Sequence, residues 1–190
     1  MPAARPSKLL GVGINLALRL VIVGVVADAL LQPDAARYAG KGIGTRGLVL
    51  VAASMVIPAL WWFRARRPYP IWTDSLYLSV FALDMAGNFL DLYDRYLYFD
   101  LIPHAHGTGA VTVVLSRIAP IGVLGATGVA QAAHILLEAQ EYYSDVIFGL
   151  RNVRGPWDTI NDLLAGLVGS AVYGGAYAVL RRRRQPRRCR

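Results

Sequence analysis

The residues most able to do chemistry in this chain are acids and histidines set at helical spacing. Thr127, Gln131, His134, Glu138 and Glu141 follow one another at +4, +3, +4 and +3, and Asp84, Asn88, Asp91 and Arg95 follow at +4, +3 and +4. Positions three and four apart share a helix face, so each set reads as a polar stripe. Asp158, Asn161 and Asp162 open a further helical stretch, and Asp100, His104 and His106 sit at the start of another. Carboxylate oxygens and imidazole nitrogens ligate divalent metals and move protons. Gathered carboxylates raise one another's pKa unless a cation joins them. Two cation sources are at hand: Arg95, Arg151 and Arg154, or a bound metal ion. His106, two positions from His104, points to another face.

The elements that must position these groups are membrane-like. Of 190 residues, 55% are hydrophobic and 17% charged, and the apolar residues fall in long blocks. Six blocks approach the roughly 20 residues that a helix needs to cross about 30 Å of hydrocarbon. They are Leu9–Leu31, Gly47–Phe63, Ile71–Leu92, Ala105–Ile118, Gly122–Tyr143 and Thr159–Leu180, the fourth being the shortest. Backbone groups cannot be left unpaired in lipid, and the blocks lack a two-residue alternation, so helices are expected rather than barrel strands. The expected fold is all-α: a polytopic bundle of about six transmembrane helices forming a single domain over residues 1–180, followed by a basic cytoplasmic tail at 181–190. The first block, preceded by Arg5 and Lys8, is read as a span rather than a cleaved signal, because it is long and contains Arg19.

Charge sets the expected orientation. With both termini cytoplasmic, thirteen of the twenty basic residues lie inside, seven of them in the last ten positions, and eleven of the twelve acids lie toward the outside. Asp74 is the exception. The net charge of +8 is therefore a topology signal, compatible with contact to anionic lipid. No stacking platform accompanies it, which argues against nucleic acid. The single cysteine, Cys189, allows no internal disulfide and no thiolate metal site. No Walker loop, Gly-x-Ser-x-Gly or His-Glu-x-x-His occurs.

A charge at the centre of a membrane helix costs roughly 2.5–3.5 kcal/mol, so the stripes must face protein or water. The bland account is interhelical hydrogen bonding at about 0.6 kcal/mol per bond. Seven or more acidic and histidine side chains on one side of the membrane favour a functional cavity instead, walled by the third, fifth and sixth spans. In the last span Gly166, Ser170, Gly174 and Ala178 recur every fourth residue, a stripe that lets another helix approach closely.

Three C-terminal segments carry a resemblance: Asp100-Leu-Ile-Pro-His104-Ala-His-Gly107, Glu138-Ala-Gln-Glu141-Tyr142-Tyr143 and Trp157-Asp158-Thr159-Ile160-Asn161-Asp162. In order and spacing they resemble the motifs of the YjdF-type family of bacterial inner-membrane proteins, which are in turn similar in pattern to VanZ-type membrane proteins. The glycine of the first motif falls one position early, and Ala105 stands where the family has an aromatic residue. The resemblance implies a multi-pass protein of the bacterial cytoplasmic membrane and groups Asp100, His104, Glu138, Glu141, Asp158 and Asp162. It supplies no reaction.

These readings converge on an outward-facing site. His104, Glu138, Glu141, Asp158 and Asp162 are the expected metal ligands, for Zn, Mg, Mn or Ca, with Glu138, Glu141 and His104 as the catalytic candidates. Arg95, Arg151 and Arg154 would hold an anionic substrate, and Asp84, Asn88, Asp91, Asp100, His134 and Asn161 would surround the ligands. The leading expectation is a metal-dependent hydrolase or transferase acting on a lipid or lipid-linked head group. The rivals are an ion- or proton-coupled transporter and a structural membrane subunit.

Overall fold

The computed structural model describes residues 6–63 and 68–184. Arg5, Arg64, Arg66, Arg67, residues 185–190 and Cys189 with them lie outside the described residues. Eight α-helices follow in order: α1 (Pro6–Leu31), α2 (Ile43–Ala53), α3 (Val56–Trp62), α4 (Ile71–Phe89), α5 (Leu92–Arg95), α6 (Leu101–Ile118), α7 (Val123–Phe148) and α8 (Asp158–Arg184). There is no strand among the described residues, in agreement with the all-α expectation. Among the described residues three helical segments are long and apolar enough to cross a membrane: Ser7–Leu31, Ile43–Trp62 and Asp158–Arg183.

The chain divides into two compact units, residues 1–99 with 149–151 and residues 100–148 with 152–190. Unit 1 is built on α1 and α4, with α2 laid on α1. Ile22, Val25, Val26 and Ala29 meet Leu78, Ala82 and Met85 in its apolar core. Its outer surface inverts the usual soluble pattern: Leu16 and Leu20 are more than half exposed, whereas Asp74 is fully buried. Apolar side chains turned outward and polar ones inward suit a helix assembly whose solvent is hydrocarbon.

The second apolar block is interrupted, and the interruption explains the charge inside the first. Pro58 has no N–H to give, so the carbonyl four residues back, that of Ser54, loses its helical donor. The helix breaks there into α2 and α3, and Arg19 Nη1 donates to Ser54 O at 3.2 Å. Arg19 Nη2 also pairs with Asp74 Oδ2 at 2.7 Å, and the same oxygen accepts from Asn15 and Tyr69. Burial, together with the hydrogen bond to Asp74, raises the Tyr69 hydroxyl's pKa above its usual range. Asp74 is thus the counterion of Arg19, an arginine inside the apolar Ser7–Leu31 segment.

The first polar stripe is not continuous. Helix α4 stops at Phe89 and Asp91 turns the chain with φ 58°, a left-handed conformation that Asp tolerates better than most side chains. Asp84 and Asn88 therefore share a face, and Asp91 and Arg95 belong to the short α5 corner. Gly42-Ile-Gly44-Thr-Arg-Gly47 has the spacing of a dinucleotide-binding glycine loop, yet it follows a 3-10 turn rather than a strand. Its glycines have local tasks: Gly42 takes φ 59° ahead of α2, and a side chain at Gly47 would run into Val26.

Unit 2 is α6 packed most extensively on α8, with α7 against both. Small residues permit it. A Cβ on Gly109 would come within 2.7 Å of the Gly169 carbonyl oxygen, and one on Gly169 would meet the backbone of Ala105. Further along α8, Ser170 accepts a hydrogen bond from Thr112 at 3.1 Å, and Gly174 faces Val123 and Thr112. The four-residue stripe expected to bring helices together does so here on α8.

Candidate metal centre

At the closest part of this packing lie two histidines and a glutamate. The i, i+4 spacing on α7 puts His134 and Glu138 on one face, and His104 comes from the first turn of α6. All three are buried. Gly166 on α8 makes the room, since a Cβ there would collide with the His134 ring and lie 2.8 Å from Thr108 Oγ1. The two imidazoles stack, with ring centroids 4.9 Å apart and planes at 22°. His104 Nδ1 lies 2.7 Å from His134 Nε2. Glu138 Oε1 lies 3.4 Å from the former and 3.3 Å from the latter, yet neither approach has hydrogen-bond alignment, so this buried oxygen has no hydrogen-bond donor.

The surrounding bonds assign the tautomers. Thr108 Oγ1 donates to the His104 carbonyl at 2.9 Å, which leaves its oxygen to accept from His134 Nδ1 at 3.2 Å. His104 Nε2 faces Asp100 Oδ1 at 3.3 Å and Asp162 Oδ2 at 3.9 Å. With protons on His134 Nδ1 and His104 Nε2, neutral rings would turn their lone pairs toward each other and toward Glu138 Oε1, whereas a further proton on either ring would make the 2.7 Å contact a hydrogen bond between them. His104, His134 and Glu138 each offer one ligand atom close enough together that the three could hold a metal ion. No lysine or arginine among the described residues is within ion-pair distance of Asp100, Glu138 or Asp162.

The other expected site residues are distributed as follows. Glu141 is half-buried one turn along α7 from Glu138, outside the two groupings that could hold an ion, His104–His134–Glu138 and Asp100–His104–Asp162. Asp158 caps the loop before α8 by accepting the Arg154 backbone N–H at 2.8 Å. Asn161 is exposed. His106 takes a separate partner, Tyr173 OH, at 2.8 Å, as its offset from His104 suggests. Asp84, Asn88, Asp91, Arg95 and Arg151 belong to unit 1. There Asp84 is satisfied by Arg46, Asn88 and Tyr93, while Lys41 pairs with Asp94 at 2.6 Å and Asp91 at 3.8 Å.

His134 is central to the geometry but stood only at the edge of the expected set. Its i, i+4 relation to Glu138 was the available signal. The Arg19–Asp74 pair was not anticipated as a pair, although each residue was out of place by charge. Compared with known proteins, the chain matches no family model, no curated protein and no solved structure, so the functional reading rests on the residues themselves.

Proposed function

We propose that this is a multi-pass protein of the bacterial cytoplasmic membrane whose second unit holds a divalent metal ion and uses it on a lipid or lipid-linked head group. Its ligands are His104 Nδ1, His134 Nε2 and Glu138 Oε1. In this reading α4, α6 and α7, with their polar residues turned inward, complete six crossings with the three more apolar segments. Both termini are cytoplasmic, following the distribution of arginine. The motifs that resemble the YjdF-type family contribute His104, Glu138, Asp100 and Asp162 to the same neighbourhood.

The observation that carries the reading is the buried triangle of three lone-pair atoms at 2.7, 3.3 and 3.4 Å, with an unpartnered carboxylate oxygen at one corner. Two imidazoles and one carboxylate suit zinc better than magnesium or calcium, which prefer oxygen. Three protein ligands leave a position open for water, whose proton the metal makes easier to remove. Asp100, facing the other nitrogen of His104, has the place of the carboxylate that orients a metal-bound histidine, and Thr108 does the same for His134. Glu141 is the remaining carboxylate on that stretch of α7 to serve as base, and Arg154 in the loop before α8 is the candidate for an anionic head group.

One measurement favours a second reading. A nitrogen–nitrogen distance of 2.7 Å suits a proton shared by the two rings, whereas two ligands of a tetrahedral zinc stand about 3.3 Å apart. Held as a proton site, the same cluster would serve a proton-coupled carrier. Metal content decides between them. Protein purified without chelator, and after addition of zinc or manganese, should contain about one ion per chain by elemental analysis, and His134→Ala should contain none. A chain that stays metal-free under both conditions sinks the metal reading and leaves the carrier.

A further inference from the structure

Two acids outside the proposed ligand set gather on the other nitrogen of His104. Asp100 stands at the start of α6, and His104, four residues on, turns Nε2 back to it at 3.3 Å. Asp162, in the second turn of α8, lies 3.9 Å from the same nitrogen. The three residues offer one ligand atom each, close enough together to hold an ion. The Asp162 side chain is only 5% exposed, yet among the described residues it accepts no hydrogen bond and meets no lysine or arginine. A carboxylate taken out of water without a donor is costly, so the arrangement favours a cation beside it.

The contact between the two rings bears on where the lone pair of His104 lies. Thr108 Oγ1 donates to the His104 carbonyl, so a neutral His134 keeps its proton on Nδ1 for Thr108 and accepts at Nε2. His104 Nδ1 stands 2.7 Å from that acceptor, at hydrogen-bond distance. A neutral His104 with its proton on Nδ1 makes this bond, and its lone pair then lies on Nε2, facing Asp100 and Asp162. The other tautomer turns the lone pair to His134 and Glu138. One neutral ring thus serves one group at a time.

The geometry points to a second divalent-cation site at Asp100, His104 Nε2 and Asp162, an entry station from which the ion passes to the inner ligands. In that passage His104 gives its Nδ1 proton to solvent and takes one back at Nε2. Two carboxylates and one imidazole suit manganese or magnesium as well as zinc. Asp100, 15% exposed, is the most open side chain of either group, against 3% for His134 and 4% for Glu138, so the station lies nearer the surface. The N-terminal ends of α6 and α8 add partial positive charge beside it, which loosens its hold on a cation. An ion held so loosely leaves on desalting, and the content of purified chain reports the inner site alone. The inference deepens the metal reading and rests on it for the ion's destination.

Titration of the chelator-washed full chain in detergent with Mn²⁺, the free ion being counted by its EPR signal, tests the station. Glu138→Gln is the background, because it removes an inner ligand and keeps the histidine pair. This chain should bind about one Mn²⁺ with a dissociation constant of about 0.1–1 mM, the range of loose oxygen-rich sites, and pulsed EPR should show a coupled imidazole nitrogen. Adding Asp162→Asn or Asp100→Asn should weaken binding about tenfold or more. Adding Asp158→Asn, at the residue that caps the loop before α8, should leave it within about twofold. Thermal unfolding shows that each variant is folded. Equal weakening by Asp158→Asn would mean undirected attraction to acids and overturn the site, as would bound Mn²⁺ without nitrogen coupling. In the otherwise wild-type chain, Asp162→Asn should slow zinc uptake about tenfold, the scale on which local charge changes association rates, and leave the final zinc content unchanged. An unchanged rate would overturn the entry role. Failure of the metal reading looks different: a wild-type chain that retains no zinc removes the ion's destination, and the entry role with it, while Mn²⁺ binding by the Glu138→Gln chain still stands.

Discussion

In unit 1 the carboxylates of Asp28, Asp74, Asp84 and Asp94 each meet an arginine or lysine nitrogen, at 2.5, 2.7, 3.3 and 2.6 Å, whereas in unit 2 Asp100, Glu138 and Asp162 meet only histidine among the described residues. The difference lies in what each arrangement lacks. An arginine is charged at every accessible pH, so a unit 1 pair is electrically complete when the chain folds. A histidine carries charge only by binding a proton, and as a neutral ring it offers a lone pair. The unit 1 pairs therefore keep their charge balance at any pH, whereas in unit 2 it depends on what the histidines bind. Among the described residues, buried carboxylates are closed by fixed cations in unit 1 and meet only titratable rings in unit 2.

The largest effect should come from breaking a complete pair. Arg19→Ala strips the fully buried Asp74 of its cation and the Ser54 carbonyl of its donor. Loss of one partner of a buried pair costs about 3–5 kcal/mol, so thermal unfolding in detergent should shift sharply downward. Metal content per folded chain should not change. Replacing both partners, Arg19→Met with Asp74→Asn, should recover much of the loss, because no lone charge remains. If the single and double variants are equally unstable, the pair is not what matters and the contrast with unit 2 weakens.

Glu138→Gln should act in the opposite sense. It removes a buried charge that has no arginine or lysine among the described residues, so in chelator the variant should unfold no earlier than the wild type. Zinc affinity, followed by competition with a chromophoric chelator, should fall by about a hundredfold, the scale on which lost ligands and their supports register. Early unfolding of Glu138→Gln in chelator would instead mark Glu138 as a structural partner, like the acids of unit 1.

A smaller change sharpens the same point through packing. Gly166→Ala places a methyl group against the His134 ring, whereas a Cβ at Gly175, on the same helix, meets nothing within 4 Å. Zinc affinity should drop by roughly tenfold in the first. In the second both affinity and stability should stay within about 0.5 kcal/mol of the wild type. Equal affinities for the two variants would show that the approach of α8 does not hold the histidine in place.

Much of this was legible in the chain. Apolar blocks of membrane length without a strand period dictate helices, because backbone hydrogen bonds must close within each segment where water is absent. The spacing of His134 and Glu138 makes them neighbours before any tertiary contact forms, since 3.6 residues per turn fixes i and i+4 on one face. The four-residue stripe of small residues on α8 marks a close approach for the same local reason. Tertiary structure decided which faces met. Nothing in the spacing shows that His104, thirty residues away, stacks on His134, that Arg19 reaches both Asp74 and the carbonyl freed by Pro58, or that Asp84 is neutralised by Arg46. Periodicity constrains one helix at a time. The choice of partner is made by the fit of glycines to facing backbones and side chains, a property of two surfaces that a single stretch of sequence does not contain.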